Sequence, residues 1–162
     1  MRRGRIVLLL LAIFIFVGAT GSLFAYDFAI GGVSVAGSAL GAYSGQLLAV
    51  PVLIMFSDMG LVREDIFSPF STAIYDAMDL GSGIGCVMGG MAAKYTYLAL
   101  VNGVWDWQSF AIDAFATSIV VTVSHLFFNS FGDSLGISPF VSDIVVTPLL
   151  TGGYLGFIIP LG

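Results

Sequence analysis

Charge is the scarcest commodity in this sequence. Ten acidic and five basic side chains make up 9% of its 162 residues, whereas an ordinary soluble domain carries about 25%. A soluble surface of this size cannot be covered by so few solvated groups, because charged side chains are the ones that stay outside. A soluble monomer is therefore excluded. Disorder is excluded as well, since it requires low hydrophobicity and high net charge, and here 58% of residues are hydrophobic. A basic face is also missing. With a net charge of −5 the chain has no electrostatic footprint for nucleic acid. One Cys and one His leave no internal disulfide, no dithiol, no bis-His haem and no metal cluster built from several His and Cys ligands. No cofactor is expected. Ser124 precedes His125, but adjacent helix residues point apart and make no nucleophile–base pair. The glycines around Gly81–Gly90 have neither a strand before them nor a Walker lysine after them, so they form no nucleotide loop. No enzyme is expected.

What is abundant is apolar sequence, with a mean hydropathy of +1.03. Its runs are unbroken, as in Ile6 to Phe16, and lack the period-two alternation of a membrane β-barrel. The expectation is an all-α, polytopic transmembrane helix bundle in a single integral membrane domain over residues 1–162. A spanning helix needs about 20 apolar residues. Five spans are predicted, at about 6–25, 37–56, 81–101, 109–128 and 140–161. A sixth arises if 31–58 or 67–101 folds as two pieces. The first apolar run also fits a signal peptide, but it is longer than a usual signal core, and we read it as a retained span. Asp76 and Asp79 lie in a stretch too short to span, and residues 70–80 are expected to form an interfacial or re-entrant helix. Trp105 and Trp107 flank Asp106 in a short turn at the headgroup level, where tryptophan is favoured. Pro51 is expected to kink the second span, and Asn129 to Ser138 to form a turn. Arg2, Arg3, Arg5 and Arg63 fall on one side, which places the N-terminus in the cytoplasm by the positive-inside rule.

Two patterns carry functional content. Gly37, Gly41 and Gly45 are spaced by four, as are Gly81, Gly85 and Gly89. Each set lies on nearly one helix face, a glycine zipper that lets another backbone approach. The partner backbone belongs either to this bundle or to another subunit. The second pattern is a set of ionisable residues at membrane depth, which normally face the bundle interior. Lys94 and Asp113 lie at matching depths on neighbouring antiparallel spans, and so do His125 and Asp143. Two pairs are predicted, Lys94–Asp113 and His125–Asp143. They serve either as polar clamps or as a proton or ion relay. Asp76 and Asp79, three apart, share a face that is either solvated or able to hold a cation. No metal ligand set is assigned.

The stretch Tyr75-Asp76-Ala77-Met78-Asp79-Leu80-Gly81-Ser82-Gly83 resembles the rod-shape membrane protein family and the substrate-binding subunits of vitamin transporters. In those families an acidic residue ends one helix before the Gly-rich start of the next. The preceding Gly-rich helix is replaced here by Phe67-Ser68-Pro69-Phe70. No functional residue is carried across. Nine Asp against one Glu and one Lys is a composition seen in high-salt organisms.

Two functions from different classes follow. The first is a structural or accessory scaffold subunit of a larger membrane assembly, in a prokaryotic cytoplasmic membrane or a virion membrane, packed through its glycine-zipper helices, with other membrane subunits or a second copy as partners. It expects few buried polar groups and no cavity. The alternative is a small transporter or a proton or ion channel. It expects a polar interior reaching Lys94, Asp113, Ser118, Thr122 and Asn102.

Overall fold

The computed structural model describes residues 25–62, 66–68, 71–103 and 106–158. Residues 6–24 of the expected first span, and Arg2, Arg3, Arg5, Arg63 and Trp105, lie outside them. The described chain is helical apart from one short β pairing. Helices α1 (Phe28–Asp58), α2 (Ala73–Asn102) and α3 (Trp107–Leu135) are followed by α4 (Pro139–Val141), a π-helical segment (Ser142–Val146) and α5 (Thr147–Leu155). Strands β1 (Ala25–Tyr26) and β2 (Phe157–Ile158) pair antiparallel, Ala25 with Ile158 and Tyr26 with Phe157. The Asp27 N–H donates to the Gly156 carbonyl at 2.9 Å. Among the described residues, α1, α2 and α3 are long and apolar enough to cross a membrane.

Local chemistry sets the helix ends. The Asp27 carboxylate accepts from the backbone N–H groups of Ala29 and Ile30 at 2.8 and 3.0 Å. These are orphan donors of the first turn. The helix therefore begins at Phe28, nine residues before the predicted Gly37, and continues through Pro51. Likewise α3 extends past Phe128 to Leu135, because the stop is Gly136 with φ 69°, not the polar residues before it. Asn129 to Leu135 is thus helix, and the predicted turn shrinks to its last residues.

The expected break at Leu80 does not exist. Residues 73–102 form one helix, so Asp76 and Asp79 belong to the same element as Lys94. The same finding removes the helix–helix junction that the family resemblance implied. Gly81, Gly85 and Gly89 weaken a helix when its backbone is open to solvent; here the α1 backbone covers them. Gly37 meets Gly89, Gly41 meets Gly85 and Gly45 meets Gly81, in antiparallel order. A Cβ added at any of the six would collide with backbone of the facing helix.

The C-terminal helical segment runs back across the bundle, from beside His125 to beside Asp27. It is neither one regular helix nor as long as the predicted 140–161 span, ending as a helix at Leu155. Pro148 is the reason for its irregularity. A proline has no N–H, and its ring clashes with the carbonyl four residues earlier. The turn before it widens, and the Thr147 N–H reaches the Ser142 carbonyl five residues back. Gly152 then lets this segment press against the Val35 backbone of α1.

Burial is inverted relative to a soluble protein. Large apolar side chains face outward, such as Phe115 at 71% exposure and Met88 at 67%. Two small apolar clusters lie inside. One is Ala42, Cys86 and Val121; the other is Met91, Tyr95 and Leu155. The remaining buried side chains are mostly polar: Ser34, Ser38, Gln46, Ser82, Lys94, Asp113, Thr117, Ser124, Ser142, Asp143, Thr147 and Thr151. In water this would be self-defeating, but hydrocarbon tails solvate apolar side chains as well as a protein core does.

Candidate functional site: a polar axis between two charged clusters

The buried polar residues are ordered. On α1 they are Ser34, Ser38 and Gln46; on α2 Ser82 and Lys94, with the Cys86 thiol between them; on α3 Asp113, Thr117 and Ser124; on the C-terminal segment Asp143, Thr147 and Thr151. Steps of four recur, which holds each set on one helix face. The four faces meet along one line. Cys86 Sγ donates to Thr151 Oγ1 at 3.5 Å, and Ser124 Oγ and Thr147 Oγ1 share a hydrogen bond of 2.8 Å. From Asp79 to Lys94 the axis follows α2 for about 22 Å at 1.5 Å per residue, most of a hydrocarbon core of about 30 Å.

A salt bridge closes one end. Lys94 Nζ lies 2.6 Å from Asp113 Oδ2, both side chains more than nine-tenths buried. The Tyr95 hydroxyl donates to the same oxygen at 2.9 Å, and the Tyr95 ring packs edge-on against Phe110. Thr117 Oγ1 turns back to the Asp113 carbonyl at 2.6 Å. Two opposite charges leave this end neutral overall, which is how a buried charge is tolerated.

Four elements build the other end. His125 Nδ1 of α3 lies 2.7 Å from Asp79 Oδ1 of α2. His125 Nε2 faces Asp143 Oδ1 across 4.0 Å. The Gln46 side-chain amide of α1 donates to Asp143 Oδ2 at 3.3 Å. The structure thus brings His125 near Asp143, but the carboxylate in direct contact with His125 is Asp79. Sequence reasoning missed that partner because it placed Asp79 on a separate interfacial helix. Once α2 is continuous, Asp79 faces inward three residues before Ser82, and Asp76 points out, with its carboxylate bound by the Thr72 hydroxyl at 2.8 Å.

A cleft of about 420 Å³ between α2 and α3 reaches this end, lined by Asp79, His125 and Asn129 with Ser118, Thr122 and an apolar wall that includes Leu80, Ile84 and Met88. Ser118 and Thr122 were expected to line a cavity with Lys94 and Asp113. They line this cleft instead, and their hydroxyls bond the carbonyls of Ala114 and Ser118 on their own helix. Trp107 begins α3, 69% exposed, with its ring edge-on to Phe110. Asp106 caps that helix, accepting from the backbone of Gln108 and Ser109 and from the Ser109 hydroxyl. These three bonds, the Ser109 hydroxyl first, hold its carboxyl below the usual range.

No family model, no curated protein and no solved structure matches this chain.

Proposed function

We propose that this is a small integral membrane protein that carries protons through its interior along the axis from Lys94–Asp113 to His125–Asp143. The observation that carries the proposal is the axis itself: four helices each turn a polar face inward while their apolar faces turn out. Hydroxyls suit such a path because each both donates and accepts, and carboxylates with histidine are the usual intramembrane relay groups. A bare cation is opposed by Lys94, whereas a proton can pass by exchange at Asp113. Among the described residues, the buried hydroxyls of Ser34, Ser82 and Ser142 have no hydrogen-bond partner, which leaves them open to donate and accept along the path. We further infer five spans with the N-terminus in the cytoplasm, on the run 6–25 and on Arg2, Arg3, Arg5 and Arg63.

The scaffold reading has less support. Its glycine zippers pack against each other within the chain, which leaves those faces no part in meeting another subunit. It also expected few buried polar groups. The test is flux. The full chain in vesicles under an imposed potential, with a pH-sensitive dye inside, should acidify or alkalinise the lumen above the rate of empty vesicles. Asp113→Asn should cut that rate at least about tenfold, as expected for removal of a proton-transfer group. Flux equal to that of empty vesicles would overturn conduction.

A further inference from the structure

The Asp79–His125–Asp143 cluster has a feature that proton transfer does not need. Each of the three residues offers one ligand atom, and these atoms lie within 4.8 Å of one another. Asp79 holds the ring from Nδ1. The opposite nitrogen, Nε2, is buried and makes no hydrogen bond among the described residues. It faces Asp143 Oδ1 at 4.0 Å, beyond hydrogen-bond range. A metal ion spans such a gap: bonds of about 2.1 Å to nitrogen and 2.1 Å to oxygen bridge atoms up to about 4.2 Å apart, and a bent arrangement draws them closer. A carboxylate on the far ring nitrogen is the usual outer partner of a metal-bound histidine, fixing its tautomer and its direction.

Charge points the same way. Two aspartates meet here, and the only Lys or Arg among the described residues, Lys94, is held by Asp113 at the other end of the axis. Buried charges are paired or bind metals, and one divalent ion balances both. Imidazole selects a transition metal over Mg²⁺ or Ca²⁺, and the lack of a thiolate disfavours soft ions. The α2–α3 cleft, lined by Asp79 and His125, gives entry.

We propose that this cluster is a binding site for one divalent first-row transition-metal ion, held by His125 Nε2 and the Asp143 carboxylate, with Asp79 as a positioning residue behind His125. Gln46, already on Asp143, offers an amide oxygen as a further ligand. The site holds whether or not protons move along the axis.

The test is calorimetric titration of Zn²⁺ into the full-length chain in detergent near neutral pH. One saturable site per chain is expected, with no heat from Mg²⁺. His125→Gln and Asp143→Asn should each abolish saturable binding. Asp79→Asn should weaken it by about 10–100-fold, as for other outer partners. The distant variant Asp106→Asn, at the exposed cap of α3, should bind as the parent does. Should His125→Gln not fold, Co²⁺ added to the unaltered protein gives a second readout: a visible absorption band that Zn²⁺ bleaches one for one. No saturable binding to the parent, or binding that survives His125→Gln, would overturn the site. Vesicle flux separates the two proposals, since binding without flux defeats conduction alone, and flux without binding defeats the metal site alone.

Discussion

Adding one methyl group to the glycine seam should destabilise the protein, although in most helices the same change stabilises it. Gly→Ala inside a helix contributes up to about 1 kcal/mol through backbone entropy. At Gly41 the new Cβ would run into the Gly85 carbonyl, and at Gly85 into the Gly41 carbonyl. Backbone on both sides cannot step aside as a side-chain tip can, so α1 and α2 must separate. Overpacking of this kind costs about 1–3 kcal/mol, and separation also forfeits close contacts along the seam. Gly41→Ala and Gly85→Ala should thus lower the thermal midpoint in detergent by several degrees, at about 2–4 °C per kcal/mol for a chain of this size. Gly32 and Gly153 are the internal controls, because a Cβ at either meets nothing within 4 Å. Their alanine variants should be neutral or stabilised by up to about 1 kcal/mol. The midpoints of all four variants are compared in one detergent. If Gly41→Ala and Gly85→Ala track the controls, the close backbone approach is not what holds the two helices together.

The remaining predictions concern charge. Lys94→Met alone strands a buried Asp113 and should cost about 3–5 kcal/mol, whereas Lys94→Met/Asp113→Leu should be close to neutral; a double-mutant cycle on thermal midpoints reads the coupling, and additive effects would refute a closed ion pair. Asp106 has its carboxyl lowered by Ser109 and the helix N–H groups, so its charge contributes stability above the ordinary carboxylate pKa of about 3.9, and that contribution fades as pH falls through the lower folded value. The midpoint difference between the parent and Asp106→Asn should be constant from neutral pH to about pH 5 and shrink only below about pH 4, where the unfolded carboxyl takes up its proton. Thr147→Val removes the hydroxyl shared with Ser124 and should slow vesicle proton flux without lowering the midpoint by more than about 1.5 kcal/mol, the usual net worth of one hydrogen bond; unchanged flux would take this link out of the path.

Helix type and the pairing of Lys94 with Asp113 were readable in advance because both depend on local pattern. Unbroken apolar runs do not alternate, and two matched depths place Lys94 opposite Asp113. Boundaries were not readable, because they depend on which side chain reaches a backbone N–H. Asp27 looks like a loop residue until its carboxylate is seen on Ala29 and Ile30. The polar axis did have a sequence signal: Ser34–Ser38, Asp113–Thr117 and Thr147–Thr151 are each spaced by four. Small hydroxyl residues are common in membrane helices, however, and one pair says little until several faces converge.

Composition alone determined how little of the surface can be charged. With 9% charged residues, the chain cannot clothe itself for water, and three long apolar helices follow from that scarcity. Tertiary structure decided what the few charges do. A continuous α2 carries Asp79 into the bundle, and the widened turn before Pro148 sets Asp143 opposite His125 Nε2. Both depend on helix packing: glycine backbones shield one another across the α1–α2 seam, and the proline displaces its own turn. Those effects appear only when the helices meet.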